Sequence, residues 1–450
     1  MKRNWCILAV FCIAFVFSGC AEKPVAEKKG KTEIVYWTGW TGKEMGVLQK
    51  IIDRFNASQD RIHCRMVTLA GVYQKVRIAF AGGDVPDLLS TIWAEELASY
   101  AIRGVLEPLD PYMETSGRDF SKEYMPGLWR MFHFEEKVYA LAMTTNGTLY
   151  FYNKDIFEEV GWGKNRTPKT IQEFEEINRL CVKYNEEGNL VRYGAVPESL
   201  ELWAYIFGGS WYDPKTRTVT ANRPENVKAL RWMQKQAQKY DTFKLQRFRQ
   251  SFGGWITSVN CPFYIGKTAI YPAGEYMTHH LKRYAPDLNY GWFPYPHPPG
   301  GRKNCCLVGG SVFAIPAASK HKEEAWELLN FLSQPESIKE FCLGIHNLPP
   351  LTKVARDPAF TRDPVYRDLA EIMSGENVFG PPQMPVWLGY VTNIRRAEDY
   401  VLFGGKDPKK ALDDVQKNTE REMKRLMLQK KPRIGKNGNP GAAELQPNVK

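Results

Sequence analysis

No apolar stretch in this 450-residue chain reaches the ~20 residues of a membrane-spanning helix; the one strong run, Trp5 to Phe17, is 13 residues long. A polytopic membrane protein is thereby excluded. Histidine is scarce, with seven in all, and its pairing is wrong for metal. His279-His280 and Cys305-Cys306 are adjacent pairs, whereas a zinc site spaces its ligands two to four residues apart. No metal or cofactor is expected. The chain also lacks a G-x-S-x-G elbow, an H-E-x-x-H helix and a Walker loop, so no common catalytic motif is in view. It has no internal repeat of solenoid length. Charge of one sign is missing from its body. Of the formal net +11, two charges sit in the first three residues, one in 21–33 and six in 424–450, leaving +2 for 34–423. A basic face for nucleic acid is therefore not expected.

What is present is core material. Hydrophobic residues make up 43%, with 13 Trp, 22 Tyr and 23 Phe, enough for two or three domains at roughly 150 residues each. The start has the layout of a secretory leader: the basic head Met1-Lys2-Arg3-Asn4, the apolar run, then Ser18 and Gly19. The ending Phe17-Ser18-Gly19-Cys20 resembles a bacterial lipoprotein processing box. That resemblance implies removal of residues 1–19 and lipidation of Cys20, an anchor worth ~0.8 kcal/mol per buried methylene. The mature chain would be tethered to a membrane and would not span it. Six other cysteines then remain: Cys64, Cys181, Cys261, Cys305, Cys306 and Cys342. An even number in an exported protein permits disulfides, and free buried thiols fit equally well.

Along the chain the pattern is α/β. Residues 20–33 are Lys/Glu-rich and read as a tether. Glu33–Trp37 reads as a buried strand, Thr38–Gly42 as a loop, and Leu48, Ile51, Ile52 and Phe55 as one face of a helix. Ile62–Leu69 and Pro86–Ile92 are further strands, the latter ending at Trp93. Thr148–Tyr152 is another, and Thr170 with Glu173 forms a capping box ahead of Ile171, Phe174, Ile177 and Leu180. Asp407-Pro408 opens a last helix with Ala411, Leu412, Val415 and Met423 inward. Residues 434–450 read as a disordered tail.

Two carboxylates suffice for glycoside hydrolysis, and Glu95-Glu96 and Glu275 occupy loop positions. Most Glu pairs here, such as Glu135-Glu136 and Glu323-Glu324, read as solvated faces. The aromatics carry more. Trp40 lies in a Gly-flanked loop, Trp93 where a strand runs out, Trp203 ahead of Gly208-Gly209, Tyr276 after Gly274-Glu275, and Trp387 in a Pro-rich approach. Such residues either cap a core or face a ligand. Several converging on one α/β crevice favour the ligand, and an aromatic plane suits the C–H face of a sugar.

A run of elements then resembles the extracellular solute-binding proteins of ABC importers, in the sugar-binding branch that includes maltose-binding protein. Phe80-Ala81-Gly82-Gly83-Asp84-Val85-Pro86-Asp87 resembles the A-x-G-x-x-PD element, with Gly104–Leu109 following. Leu149–Phe157 resembles the strand and turn that open the second lobe. Gly266–Ile270 through Gly274-Glu275-Tyr276 resembles G-K-A-A-M…G-P-W, with Glu and Tyr in place of Pro and Trp. Ala314-Ile315-Pro316 and Lys320–Trp326 match the following strand and helix. The resemblance covers about residues 33–428.

It implies an α/β, two-lobe periplasmic-binding-protein fold with a hinge between lobes and a ligand cleft. Lobe one would be 34–145 with 308–352, and lobe two 146–307 with 353–425. Carried over residue by residue, the substrate-binding set is Trp40, Trp93, Glu95, Glu96, Asn146, Trp203, Glu275, Tyr276, Gly310 and Trp387. The function implied is a monomeric, lipid-anchored receptor on the periplasmic or outer face. It would capture a carbohydrate by hinge closure and pass it to an ABC permease, without catalysis. The same fold holding a non-sugar solute, or an exported polysaccharide hydrolase, are the alternatives.

Overall fold

The computed structural model describes residues 30–69, 72–195, 197, 199–240, 242–252 and 256–429. The leader, Cys20, most of the tether and the 434–450 tail lie outside the described residues. The strands used below are β1 (Thr32–Thr38), β2 (Ile62–Thr68), β3 (Leu88–Trp93), β4 (Leu149–Asn153), β5 (Ile270–Ala273), β6 (Tyr290–Phe293), β7 (Cys306–Leu307), β8 (Ser311–Ala314) and β9 (Val378–Phe379). The helices are α1 (Gly42–Ser58), α2 (Ile171–Cys181), α3 (Leu200–Ile206), α4 (Met277–Tyr284), α5 (Pro335–Ile345), α6 (Trp387–Leu402) and α7 (Pro408–Gln429).

The first lobe is built on a four-stranded sheet in the order β8-β3-β1-β2. β1 runs parallel to β2 and β3, and β8 is antiparallel to β3. Ile34, Tyr36 and Thr38 alternate inward along β1, the period-2 signature of a strand. Leu48, Ile51, Ile52 and Phe55 of α1 cover that face, as their spacing predicts. The Pro86-Asp87 element has a structural use. Asp87 Oδ2 accepts the Val35 amide at 2.9 Å and Oδ1 the Ser319 hydroxyl at 2.7 Å, so one carboxylate ties β1 to the segment after β8.

The second lobe holds a three-stranded antiparallel sheet, β5-β4-β6. Both faces of β4 are buried, and they serve different cores. Leu149 and Phe151 join the core that continues into the first lobe, whereas Tyr150 and Tyr152 join the core of the second. At α2, Thr170 Oγ1 accepts the Glu173 amide at 3.3 Å, and the Glu173 carboxylate accepts the Lys169 amide at 2.9 Å. Asp407 likewise caps α7, and Ala411, Leu412, Val415 and Met423 are buried. The stretch 353–425 divides. Val354, Phe360, Leu369, Met373 and Val378 pack in the first core, while the buried side chains from Met384 onward pack in the second. Cys64, Cys181, Cys261, Cys305, Cys306 and Cys342 are all free and buried. Burial pushes the Cys181, Cys305 and Cys306 thiols up to about 12, which makes them poor nucleophiles at neutral pH.

The lobes meet where the chain crosses between the sheets. Asn146 pairs with Gly309, Thr145 with Leu348 and Leu141 with Phe313, all antiparallel. Packing at the crossing excludes a side chain at Gly147, where a Cβ would come 2.8 Å from both Cys306 Sγ and Met373 Sδ. Glu275 closes this junction. It is 0% exposed, and its Oε1 accepts the Leu348 amide at 3.1 Å. Its Oε2 has no hydrogen-bond partner among the described residues. Burial pushes the carboxyl up to about 8, against the opposing pull of its own, the Leu348 and the Gly147 amides.

A carboxyl whose folded pKa lies above its unfolded value takes up a proton on folding. The stability this contributes is present in acid and is lost as pH rises from about 4.5 towards 8. Glu275→Gln should match the wild type at pH 5 and exceed it in urea-unfolding stability at pH 8.5. An unchanged difference between the two pH values would refute a neutral Glu275 at the hinge.

Candidate functional site

Four of the anticipated residues lie where β3 runs out beside the crossing. Trp93, the last residue of β3, is 42% exposed although the five residues before it are all buried. The chain then makes a single 3-10 turn, Ala94–Glu96, held by the Ala94 amide donating to the Gly310 carbonyl at 3.1 Å. Gly310 has φ +133°, a conformation open to glycine and strained for other residues.

This turn separates the two carboxylates. Glu96 points into the first lobe, is nearly buried and is paired with Arg77 at 2.7 Å. It braces the turn. Glu95 points to the crossing, with Oε1 3.7 Å from where a Cβ on Gly309 would stand, and its Oε2 is buried without a hydrogen-bond partner among the described residues. Burial, and then the neighbouring Glu96 charge, raise its pKa, while its own amide and Arg395 oppose the rise. Asn146 is exposed on the first crossing strand, opposite Gly309. Trp93, Glu95, Asn146 and Gly310 are therefore brought together.

The other anticipated residues are placed differently. Trp40 is half-buried against α5, edge-on to Phe341 at 5.4 Å. Tyr276 folds back over Gly274, where a Cβ would come 2.6 Å from its ring, and lies edge-on to His280 at 6.3 Å. Glu275 is the buried hinge strut described above and has no surface to offer a solute. Trp203 and Trp387 require correction: they are 0% and 1% exposed and belong to the second core. Trp203 packs at 4.4 Å on Trp232, with Phe174 and Tyr295 around it, and Trp387 lies edge-on to Tyr390 at 5.4 Å. The segment around Trp203 is a helix buried on nearly every side, so Leu200, Leu202, Trp203, Ala204, Tyr205 and Ile206 all turn inward.

The residue of α3 that escapes full burial is Glu201. Burial pushes its carboxyl up to about 7, with Arg395 of α6 opposing and Glu95 reinforcing the shift. The sequence carried a signal for it, because Glu201 is the one charge in the otherwise apolar Leu200–Ile206. Arg395, one of two exposed cations on α6, carried none. A groove of about 560 Å³ lies apart from these residues, between β6 and the segment 368–377, where Trp292 Nε1 donates to Asp368 at 3.0 Å. No His/Cys/Asp/Glu group among the described residues could hold a metal ion.

If Trp203 and Trp387 are core residues, replacing either by Ala should cost ~3–5 kcal/mol of stability in the unliganded protein. Thermal unfolding measures this directly. A melting point that hardly moves would return both residues to the cleft.

Comparison with known proteins agrees with this architecture. The maltotriose-binding protein of Pyrococcus abyssi is 24% identical over 409 residues, covering 88% of this chain and 83% of that protein. The galactooligosaccharide-binding protein of Bacillus subtilis is 23% identical over 437 residues, covering 93% and 97%. Among solved structures, a protein with mannotriose bound superposes with a TM-score of 0.73 at 25% identity over 86% of this chain and 99% of its own. The sugar-binding protein MalE of Xanthomonas citri reaches the same TM-score of 0.73 at 22% identity, over 88% and 98%, a likeness of fold. Residues 50–367 match the bacterial extracellular solute-binding protein family, and the chain belongs to that family.

Proposed function

We propose that this protein captures an oligosaccharide between its two lobes and hands it to the permease of an ABC importer, with no chemistry of its own. The observation that carries this reading is the company Trp93 keeps. An indole 42% exposed at the end of a buried strand offers a flat apolar face, and Glu95 and Asn146 beside it offer acceptors and donors for hydroxyls. The names of the relatives, binders of maltotriose and of galactooligosaccharide, point the same way. Closure of the lobes would bury the sugar and present a composite surface to the permease. Cys20, carrying lipid, would hold the monomeric receptor at the membrane outside the cytoplasm.

The test is a thermal-shift panel of maltotriose, mannotriose and galactooligosaccharide. A bound sugar at 100 times its dissociation constant adds ~2.7 kcal/mol to stability. In the variant Trp93→Ala the unliganded melting point should stay within a degree or two while affinity for the bound sugar falls roughly tenfold to a hundredfold, the loss of ~1.5–3 kcal/mol of aromatic contact. A Trp93→Ala protein that binds as well as the wild type, or release of reducing sugar at catalytic protein concentrations, would overturn the reading.

A further inference from the structure

Trp40 and Tyr276, two anticipated residues not placed beside Trp93, adjoin a cluster of basic side chains. His279 on α4 and His346 at the end of α5 stack face to face, with ring centroids 4.3 Å apart and planes at 17°. Trp40 lies edge-on to Phe341 of α5, and Tyr276 edge-on to His280. α4 follows β5 of the second sheet, whereas α5 packs in the first core, so the stacked pair joins elements of both. The antiparallel register of α1 and α5 brings Lys43 to the same place. Arg54 of α1 bonds Ser337 and Glu340 of α5 at 3.2 and 3.0 Å, and Val47 packs on Gly344, where a Cβ would come 2.7 Å from its side chain. Lys43 stands one turn before Val47 on the same face, which sets it beyond Gly344, at His346. On α4, Lys282 and Arg283 follow His279 at i+3 and i+4, all three exposed.

The electrostatics here are one-sided. Lys43, Lys282 and Arg283 have no ion-pair partner among the described residues. Thr41 gives α1 no side-chain cap, so the amides that open this helix add partial positive charge at the same end. Burial first, and then the surrounding cations, lower both stacked imidazoles below their ordinary value, and no carboxylate opposes the shift. Glu44, beside Lys43 in sequence, is itself pushed towards the neutral form by burial, and Glu275, beside Tyr276, is held neutral. The corner is also fixed to the crossing. Leu348, two residues after His346, pairs with Thr145, and a Cβ on Gly274, two before Tyr276, would come 2.8 Å from the Gly147 carbonyl. Asn146 stands between these contacts and pairs with Gly309, beside the turn that follows Trp93.

We propose that Lys43, His279 and His346, backed by Lys282 and Arg283, bind an anionic substituent of the solute, so that the receptor selects oligosaccharides bearing a carboxylate or an ester sulfate over neutral ones. This rests on the reading of the protein as an oligosaccharide receptor and names the class of sugar. A cluster of unpaired cations focuses a positive field, and each charge-assisted hydrogen bond to an anion is about twice as strong as a neutral one. Trp40 and Tyr276, both partly exposed, offer apolar edges to the sugar ring that carries the charge. The cations of α1 and α4 repel one another, and an anion between them removes that repulsion. Binding is thereby tied to the approach of the two lobes.

The test titrates the full chain calorimetrically with trigalacturonate, a sulfated disaccharide, and the neutral maltotriose and mannotriose. At low salt an acidic sugar should bind at least roughly tenfold more tightly than either neutral one, the factor expected for one hydrogen bond to a charged group. The advantage should shrink in about 0.5 M sodium chloride, which screens exposed charges. Whichever acidic sugar binds more tightly distinguishes carboxylate from sulfate. Lys43→Gln and His346→Asn should each cut the ratio of acidic to neutral affinity roughly tenfold. Asparagine is chosen because it tolerates the φ of +61° at His346. A ratio is insensitive to a misfolded fraction, and the salt dependence of the wild type decides the matter if a variant fails to fold. Neutral sugars bound as tightly as acidic ones, or a preference that survives in both variants, overturns the proposal while leaving sugar capture standing. Inorganic sulfate or phosphate that shifts the His279 and His346 ring signals in NMR, with no oligosaccharide of either kind bound, would support the anion site and count against the oligosaccharide reading.

Discussion

Everything in this protein depends on how the chain passes between its two sheets. The crossing is narrow. Asn146 meets Gly309, Thr145 meets Leu348, and Gly147 is so tightly enclosed that no side chain fits. Into this junction the fold places a carboxyl, Glu275, wholly removed from water and bonded to the Leu348 amide. A buried charge there would carry a large desolvation cost, and the group is held neutral instead. The hinge is a packed, hydrogen-bonded joint, and the turn after β3 is laid directly on it. Gly310 holds the Ala94 amide, the turn that follows aims Glu95 at the crossing, and Trp93 is partly exposed where β3 ends.

The separation of Glu95 from Glu96 shows how one 3-10 turn assigns different work to adjacent identical residues. Glu96 is satisfied by Arg77 and holds the turn in shape. Glu95 is left with an oxygen that nothing in the described protein satisfies. A hydroxyl-bearing solute, or a proton, is the partner such an oxygen lacks. The fold leaves the second partner open at a place where two lobes can supply or exclude it.

Much of the fold was legible in the sequence because its signals are local. The α1 stripe of Leu48, Ile51, Ile52 and Phe55 and the Asp407 cap each depend on neighbours within a turn or two, and each is as read; β1 is a strand as read, but buried fully only at alternate residues. The position of Trp93 and Glu95 at a strand end was legible for the same reason: a buried strand followed by charge marks its own end. Trp203 and Trp387 were not. Their surroundings, Trp232, Phe174 and Tyr295 for one and Tyr390 for the other, mostly lie tens of residues away, and only tertiary packing decides which face of a short apolar helix meets water. Glu275 misled in the opposite sense, because a Glu after a glycine reads as loop surface until the crossing strands close over it. Glu201 and Arg395 lie on helices distant in sequence that only the fold lays side by side.

The central claim is that the two lobes close on a solute about this joint. Small-angle X-ray scattering tests it most directly, with the full chain measured alone and then saturated with whichever oligosaccharide stabilises it in the thermal-shift panel. The account predicts a smaller radius of gyration in the saturated protein, with no change in molecular mass. Superimposable scattering curves from the free protein and from protein shown calorimetrically to be saturated would contradict it.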